Sequence, residues 1–131
     1  MVSTGKGFEN KFRLWHKDID CITFKYPESK TKKAICDRVT IVKNAVFWFE
    51  CKHTESKTSF AFSLIKDHQW RSMFDIEEKT GKAYFMIEDG DHNVYMIKPS
   101  ILSNLGIKSV KFHQLEHFLV KKQDFHRNIY I

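Results

Sequence analysis

The sequence is poor in several residues that mark large classes of protein. Its 131 residues include only five Gly, two Pro and three Cys. So low a content of Gly and Pro excludes a fibrous repeat and argues against a disordered chain. An odd number of cysteines without a Cys-x-x-Cys pair supports neither a disulfide framework nor a zinc ribbon, and it favours reduced thiols inside a cell.

Long apolar runs are missing as well. No stretch is apolar over the roughly 18 residues that a transmembrane helix needs, and the first residues lack the apolar core of a signal peptide. We therefore expect no membrane association and no classical export. The expected location is intracellular, in the cytoplasm, or in the host cell if a virus encodes the chain.

What the sequence does contain is enough apolar surface for one core. Hydrophobic residues make up 42% of the chain and aromatic residues 15%. The length favours a single domain over residues 1–131. The net charge of +6 attracts polyanions such as nucleic acid or acidic lipid. Charge alone does not identify a partner, because many basic proteins bind neither.

Hydrophobic periodicity predicts an α/β domain. Phe8, Phe12 and Trp15 recur at helical spacing, so a first helix is expected over about residues 7–17. Further helices are predicted over about 63–79, with Leu64, Trp70, Met73, Phe74 and Ile76 as inner residues, and over 99–106. Predicted strands cover 21–26, 34–43, 45–53, 82–88, 93–98 and 128–131. Asn44 is expected to form a tight turn between the second and third of them. Residues 108–120 are amphipathic and could form either a helix or a strand.

Two carboxylates and a lysine are the residues that indicate chemistry. Glu50 and Lys52 alternate onto one face of a largely apolar strand, where charged groups are costly to bury unless they pair or bind something. A hairpin at Asn44 brings Asp37, on the preceding strand, to the same end as Glu50. Carboxylate oxygens suit Mg²⁺ or Mn²⁺, and a lysine beside them orients water or offsets charge on a phosphate.

These residues also carry a family resemblance. Asp37 followed by Glu50-Cys51-Lys52 resembles the Asp…Glu-x-Lys signature of the PD-(D/E)xK nuclease superfamily. That pattern is common by itself. The surrounding residues 49–60 and the triplet Asp67-His68-Gln69 closely resemble the RecU-type Holliday junction resolvases, and the resemblance covers roughly residues 7–98.

The resemblance implies a restriction-endonuclease-like fold, in which helices flank a mixed central β-sheet. It implies Mg²⁺-dependent hydrolysis of phosphodiesters in four-way DNA junctions, with Mn²⁺ able to substitute, by a homodimer that nicks symmetrically. Asp37, Glu50 and the main-chain carbonyl of Cys51 would hold the metal, and Lys52 would be the catalytic lysine. Glu9 and Gln69 would complete the catalytic site.

The sequence departs from the family pattern in two places, the second of which bears on substrate recognition. Cys36 stands where the superfamily motif has proline, and the segment that forms a stalk in RecU enzymes is reduced to about residues 26–34. Junction recognition then depends on other phosphate contacts. The candidate DNA-binding residues are Lys25, Lys30, Lys32, Lys33, Arg38, Lys57, Thr58 and Ser59. Thr58 and Ser59 could instead cap the helix that follows them.

Other functions remain open at this point. One is a PD-(D/E)xK endonuclease that cuts duplex or other branched DNA without junction preference, and another is a non-catalytic DNA-binding module. His113 and His117 match the H-x-x-E-H pattern of inverted zinc peptidases, but the only acid after them is Asp124, so we reject that function. Exposed aromatic residues and the apolar first helix are the candidate dimer surfaces.

Overall fold

A computed structural model describes residues 4–29, 31 and 33–130. The first helix, α1 (Gly5–Leu14), begins after Thr4, whose hydroxyl accepts a hydrogen bond of 3.0 Å from the Gly7 amide. Phe8 and Phe12 are fully buried on its inner face. The prediction of this helix is confirmed. Its apolar face, considered above as a dimer surface, is occupied by packing within the chain.

Five strands form the main sheet. They are β1 (Ile22–Lys25), β2 (Arg38–Val42), β3 (Ala45–His53), β5 (Ala83–Glu88) and β6 (Val94–Ile97), in the order β1-β2-β3-β5-β6. The pair β3–β5 is parallel and the other pairs are antiparallel, so the sheet is mixed, as predicted. Between β3 and β5 the chain forms the short strand β4 (Ser59–Ala61) and the helix α2 (Asp67–Thr80).

The hairpin between β2 and β3 turns at Asn44, which has φ 71° and so adopts the left-handed conformation that Asn tolerates. The predicted strand 34–43 is too long, because β2 begins only at Arg38. The reason lies at Asp37, whose side chain, rather than a main-chain carbonyl, accepts the hydrogen bond from the Cys51 amide. The regular hydrogen bonding between β2 and β3 ends there, and Asp37 lies at the open end of the hairpin.

Alternation along β3 builds a core on each side of the sheet. Phe47, Phe49 and Cys51 face α1, whereas Trp48 packs against the opposite core with α2. Burying a large apolar side chain contributes about 2–3 kcal/mol, so both faces hold the sheet between helices. The first core consists of Phe8, Phe12, Trp15, Val42, Phe47, Phe49, Cys51, Met86, Val94, Met96, Val120, Phe125 and Ile129.

The predicted helix over 63–79 begins later than expected. A 3₁₀ turn (Phe62–Leu64) precedes it, and α2 starts at Asp67, capped by Gln69, whose Oε1 accepts from the Lys66 amide at 3.0 Å. Leu64 and Phe74 were predicted as inner residues but are 41% and 38% exposed. The predicted end is confirmed, because Gly81 has φ 69° at the C-terminal cap.

The C-terminal region contains the largest error of prediction. The helix α3 (Pro99–Asn104) is confirmed, and 108–120 forms strand β7 (Ser109–Lys111) followed by a 3₁₀ segment (Phe112–Phe118). The expected strand at 128–131 is wrong where the structure describes it, because α4 (Phe125–Ile129) is helical and buries two residues four apart. None of the helices in the described parts of the chain is long and apolar enough to cross a bilayer.

Candidate active site

The C-terminal half of β3 places a carboxylate and a lysine at the centre of the sheet. Glu50 is only 4% exposed, and its Oε2 lies 3.7 Å from Nζ of Lys52. Along this part of β3, strand β5 pairs with one edge, and on the other edge the Cys51 amide donates to the Asp37 carboxylate. A buried carboxylate in such a position is stable only with a compensating partner.

Asp37 reaches the same place from the start of β2. Its Oδ2 accepts a hydrogen bond of 2.7 Å from the Cys51 amide, and its own amide donates to the Phe49 carbonyl at 2.9 Å. These two contacts fix both the main chain and the side chain of Asp37 beside Glu50. The structure therefore brings together the acid and the Glu-x-Lys pair that the sequence placed on neighbouring strands.

The electrostatics of the site show carboxylates crowded together. The pKa of the Glu50 carboxyl is raised to about 9, first by burial and then by the Asp37 carboxylate, while Lys52 acts in the opposite direction. Burial and Asp37 also raise the pKa of Glu9, which approaches from α1. Like charges held this close disfavour each other's ionisation, so the site as it stands favours the arrival of a cation.

Gln69 connects α2 to the site. Its Nε2 donates a hydrogen bond of 3.1 Å to Oε2 of Glu50, and its Oε1 caps the helix through the Lys66 amide. All five predicted catalytic residues border one open cleft. The cleft is lined by Gly5, Lys6, Glu9, Asp37, Glu50, Cys51, Lys52, His53, Leu64 and Gln69.

Sequence reasoning missed several lining residues. Gly5 and Lys6 enter the cleft because α1 begins earlier than predicted, and Leu64 does so through the 3₁₀ turn. His53 directly follows Lys52, so its position at the end of the catalytic strand was a signal that could have found it.

The two neighbouring cysteines are not metal ligands through sulfur. Burial raises the pKa of the Cys51 thiol well above its usual value, and its side chain belongs to the apolar core beneath α1. Of the groups on Cys51, only the main-chain carbonyl could act as a ligand. Burial likewise raises the pKa of Cys36, which stands where the superfamily has proline, to about 12.

The donor set fits a small hard cation better than zinc. Among the residues that the structure describes, no three or more His, Cys, Asp or Glu side chains lie close enough together to form a metal cluster. Mg²⁺ commonly takes one or two carboxylates and completes its shell with water and substrate phosphate, whereas structural zinc requires four protein ligands. Two carboxylates and one carbonyl would therefore suffice for Mg²⁺.

The predicted DNA-binding residues do not all lie together. Lys25 and Arg38 line a small depression with Glu9 and Asp37, directly beside the cleft. Lys33 is exposed beside residues 26–29. Lys30 and Lys32 lie outside the described residues.

The loop after β3 carries three more of these candidates. Lys57 lies 3.5 Å from Asp91 at the surface, and Thr58 is exposed next to it. Ser59 begins β4, so the alternative in which these hydroxyl residues cap a helix is wrong. The loop is instead organised by Ser56, whose hydroxyl accepts hydrogen bonds from the amides of Thr58 and Ser59.

The rival peptidase motif has no metal-binding geometry. His113 and His117 lie in a 3₁₀ segment, and both are exposed. Residues four apart do not share a face when a turn has three residues, so the two rings do not converge as they would on an α-helix. Phe112 and Leu115 provide the packing of this segment.

Comparison with known proteins is consistent with this geometry. A family model described as "Recombination protein U" (RecU) matches residues 16–129. A comparison with curated proteins finds no significant match. The structure of Archaeoglobus fulgidus Hjc, described as a Holliday junction resolvase from an archaeal hyperthermophile, matches with a TM-score of 0.68 and 11% identity, over 93% of this chain and 99% of that one.

The structural match shows the fold. The mixed sheet with helices on both faces is the restriction-endonuclease-like architecture that was predicted. The family model spans most of the chain, including Asp37 and the whole of β3. The chain therefore belongs to the RecU family of Holliday junction resolvases, as its sequence predicts.

Proposed function

We propose that this chain is a single nuclease domain that hydrolyses phosphodiesters of four-way DNA junctions with Mg²⁺, inside the cell that holds the DNA. The observation that carries the proposal is the convergence of Asp37, Glu50, Lys52 and Gln69 at one end of β3. Family membership supplies the substrate class. The convergence of these side chains supports the choice of site residues.

Asp37 and Glu50, with the main-chain carbonyl of Cys51, would hold Mg²⁺, and Mn²⁺ should substitute because it prefers the same oxygen ligands. When bound, the ion supplies charge stabilisation to the scissile phosphate and lowers the pKa of a water molecule. The raised pKa of Glu50 supports this assignment, since its burial and the nearby Asp37 carboxylate leave the site in need of positive charge.

Lys52 provides a positive charge beside Glu50. Its Nζ is 3.7 Å from Glu50 and its side chain is 17% exposed, so it can reach both the carboxylate and a phosphate in the cleft. In hydrolysis a water oxygen loses a proton and forms a bond to phosphorus, and the bond from phosphorus to a deoxyribose oxygen breaks. That oxygen leaves and takes up a proton from solvent. Negative charge accumulates on the phosphate between these events. Lys52 orients the water and offsets that charge. Gln69 keeps Glu50 in one orientation, and Glu9 closes the cleft from α1.

DNA would enter along the basic side of the cleft. Lys25 and Arg38 border the depression next to Asp37 and are the first candidates for phosphate contacts. We propose Lys33, Lys57, Thr58 and Ser59, together with Lys30 and Lys32, as contacts further from the cut. Phosphate contacts position the substrate without reading its sequence, which suits an enzyme that recognises a branched shape.

We also propose that the active form is a homodimer. A four-way junction has near two-fold symmetry, and two identical subunits related by a two-fold axis would place one site on each of two opposing strands. Symmetric nicks then follow from symmetric binding. The molecular mass of the protein in solution, measured alone and with saturating junction, tests the homodimer directly.

The experiment that separates this function from its alternatives compares two substrates. A labelled four-way junction and a linear duplex of the same sequence are incubated with the protein in Mg²⁺ or in EDTA. We expect paired nicks on opposing strands of the junction in Mg²⁺ only. Equal cutting of both substrates would favour a nuclease without junction preference, and binding without any cutting would favour a non-catalytic module.

A further inference from the structure

A continuous chain of hydrogen bonds runs between α1 and the sheet and ends beside the cleft. It begins at the Phe12 carbonyl, which lies 3.0 Å from Nδ1 of His16. Nε2 of His16 lies 2.8 Å from the Thr40 hydroxyl, and that hydroxyl lies 3.1 Å from the hydroxyl of Thr23. Nη1 of Arg38 donates to the Thr23 oxygen at 3.1 Å. The chain therefore joins α1 to strands β2 and β1.

The two ends of this chain set the direction of every donor. A main-chain carbonyl only accepts and a guanidinium only donates. Nδ1 of His16 therefore carries the proton, its Nε2 accepts from Thr40, and the Thr40 oxygen accepts in turn from Thr23. The Thr23 hydroxyl also lies 3.2 Å from the Val39 carbonyl, which shares its proton. The Thr23 oxygen is thus an acceptor that is already oriented towards Arg38.

The chain is anchored in the core at one end and reaches the surface at the other. His16 and Thr40 are buried, whereas Thr23 and Arg38 are half-buried. Arg38 lines the small depression beside Asp37, and this depression shares several lining residues with the catalytic cleft. The contact with Thr23 uses a neutral oxygen and one of several N–H groups, so it leaves the charge of the guanidinium for another partner.

We propose that Thr23 is a positioning residue, supported from the core by Thr40 and His16, and that it holds Arg38 ready for a phosphate beside the one being cut. The inference rests on the proposed function, because it assumes that DNA enters along the basic side of the cleft. An arginine that is held before binding loses less side-chain freedom when it meets the phosphate. Its remaining N–H groups can then bind that phosphate through a charge-assisted contact.

The test measures the Kd of a labelled four-way junction in EDTA, where no strand is cut, across a series of salt concentrations. Arg38→Met should bind about tenfold more weakly and lower the slope of log K against log salt by about 0.9, the value of one lost phosphate contact. Lys43→Met is the matched control for charge, because it removes an exposed cation just past the opposite end of β2. Its slope should equal that of wild type.

The role of Thr23 is tested by three further single variants. Thr23→Val keeps the shape of the side chain and removes the acceptor, so it should bind about fivefold more weakly because the DNA must now order the guanidinium. Thr23→Ser keeps the hydroxyl and should bind like wild type. Thr80→Val, which removes a hydrogen-bonded hydroxyl at the end of α2 and outside the cleft, is the control and should also bind like wild type.

A double variant separates positioning from folding. In the Arg38→Met background, Thr23→Val should cause no further loss of affinity, since no guanidinium is left to hold. An equal loss in both backgrounds, a Thr23→Val affinity equal to that of wild type, or a Thr23→Ser loss as large as that of Thr23→Val overturns the inference. A wild-type protein that neither binds nor cuts the junction would instead overturn the proposed function.

Discussion

Gln69 donates a hydrogen bond of 3.1 Å from its Nε2 to Oε2 of Glu50, and this contact joins the first turn of α2 to the catalytic strand. The same side chain caps the helix through its Oε1. One residue therefore sets both the start of α2 and the orientation of a buried carboxylate. The two roles can be separated by substitution.

Gln69→Glu should keep the cap and lose the donor. A Glu at this position still accepts from the Lys66 amide, but it places another carboxylate against Glu50. We expect a melting temperature no higher than that of wild type, because the new carboxylate faces buried Glu50, and a cleavage rate lower by about 10- to 100-fold, the range seen when a ligand's supporting hydrogen bond is removed. Single-turnover cleavage together with thermal unfolding measures both. An unchanged rate would show that Gln69 has no part in orienting Glu50.

Lys52→Met should separate cutting from binding. The substitution keeps the aliphatic stem and removes the ammonium that lies 3.7 Å from Glu50. We expect the cleavage rate at saturating junction to fall about 10³-fold, because charge that develops on the phosphate is no longer offset. The Kd for the junction should change by no more than about threefold, since one of several phosphate contacts is lost. Lys79→Met, on the exposed side of α2, is the control and should cut normally.

Metal binding should be visible as a change in stability. A cation that binds only the folded chain adds about 2.7 kcal/mol when present at 100 times its Kd, which raises Tm by several degrees. We expect this rise with Mg²⁺ for wild type and for Asp18→Asn, an exposed acid outside the cleft, but not for Asp37→Asn. In EDTA the Asp37→Asn variant should melt no lower than wild type, because it removes like-charge repulsion from Glu50 and Glu9. An equal Mg²⁺ effect in Asp37→Asn would contradict the assigned ligand.

Acid should destabilise the chain through His16. The ring is 4% exposed, donates from Nδ1 to the Phe12 carbonyl at 3.0 Å, and accepts at Nε2 from the Thr40 hydroxyl at 2.8 Å. Burial lowers the pKa of His16 from 6.5 to about 4. Between these values the unfolded chain binds a proton and the folded chain does not, so stability is lost as pH falls from 6.5 towards 4.

The loss of folding free energy caused by protonation of His16 is up to about 3 kcal/mol, at 1.36 kcal/mol for each pKa unit. His16→Gln should be less stable at pH 7, but its stability relative to wild type should improve by this amount at pH 4. Urea unfolding of both proteins at the two pH values gives the comparison. A difference that stays constant with pH would mean that His16 does not titrate in this way.

The sequence predicts the elements whose patterns are local and strong. Alternation in β3 and the Asn44 turn fixed the central hairpin, and the Phe8/Phe12/Trp15 spacing fixed the first helix. The family resemblance then supplied Glu9 and Gln69, which no local pattern joins to Glu50. The convergence of these residues on one cleft is a property of the fold, since they come from α1, α2 and β3.

The remaining errors have physical causes in long-range contacts. Strand β4 is only three residues long and exists because β7 pairs with it from far along the chain. Residues 125–129 form a helix because Phe125 packs against Phe12 and Phe49 and Ile129 is buried in the same core, a requirement that the local sequence does not reveal. The contact between His53 and buried Glu88 likewise joins two strands, so the sequence does not reveal it.

The central claim is that cutting depends on the carboxylate of Asp37, and single-turnover cleavage of a labelled four-way junction by Asp37→Asn tests it most directly. An Asn side chain still accepts from the Cys51 amide, so the fold and the Kd for the junction should persist. The account predicts a cleavage rate at least about 10³-fold below wild type in saturating Mg²⁺. Cutting by Asp37→Asn at the wild-type rate would contradict it and place the active site elsewhere.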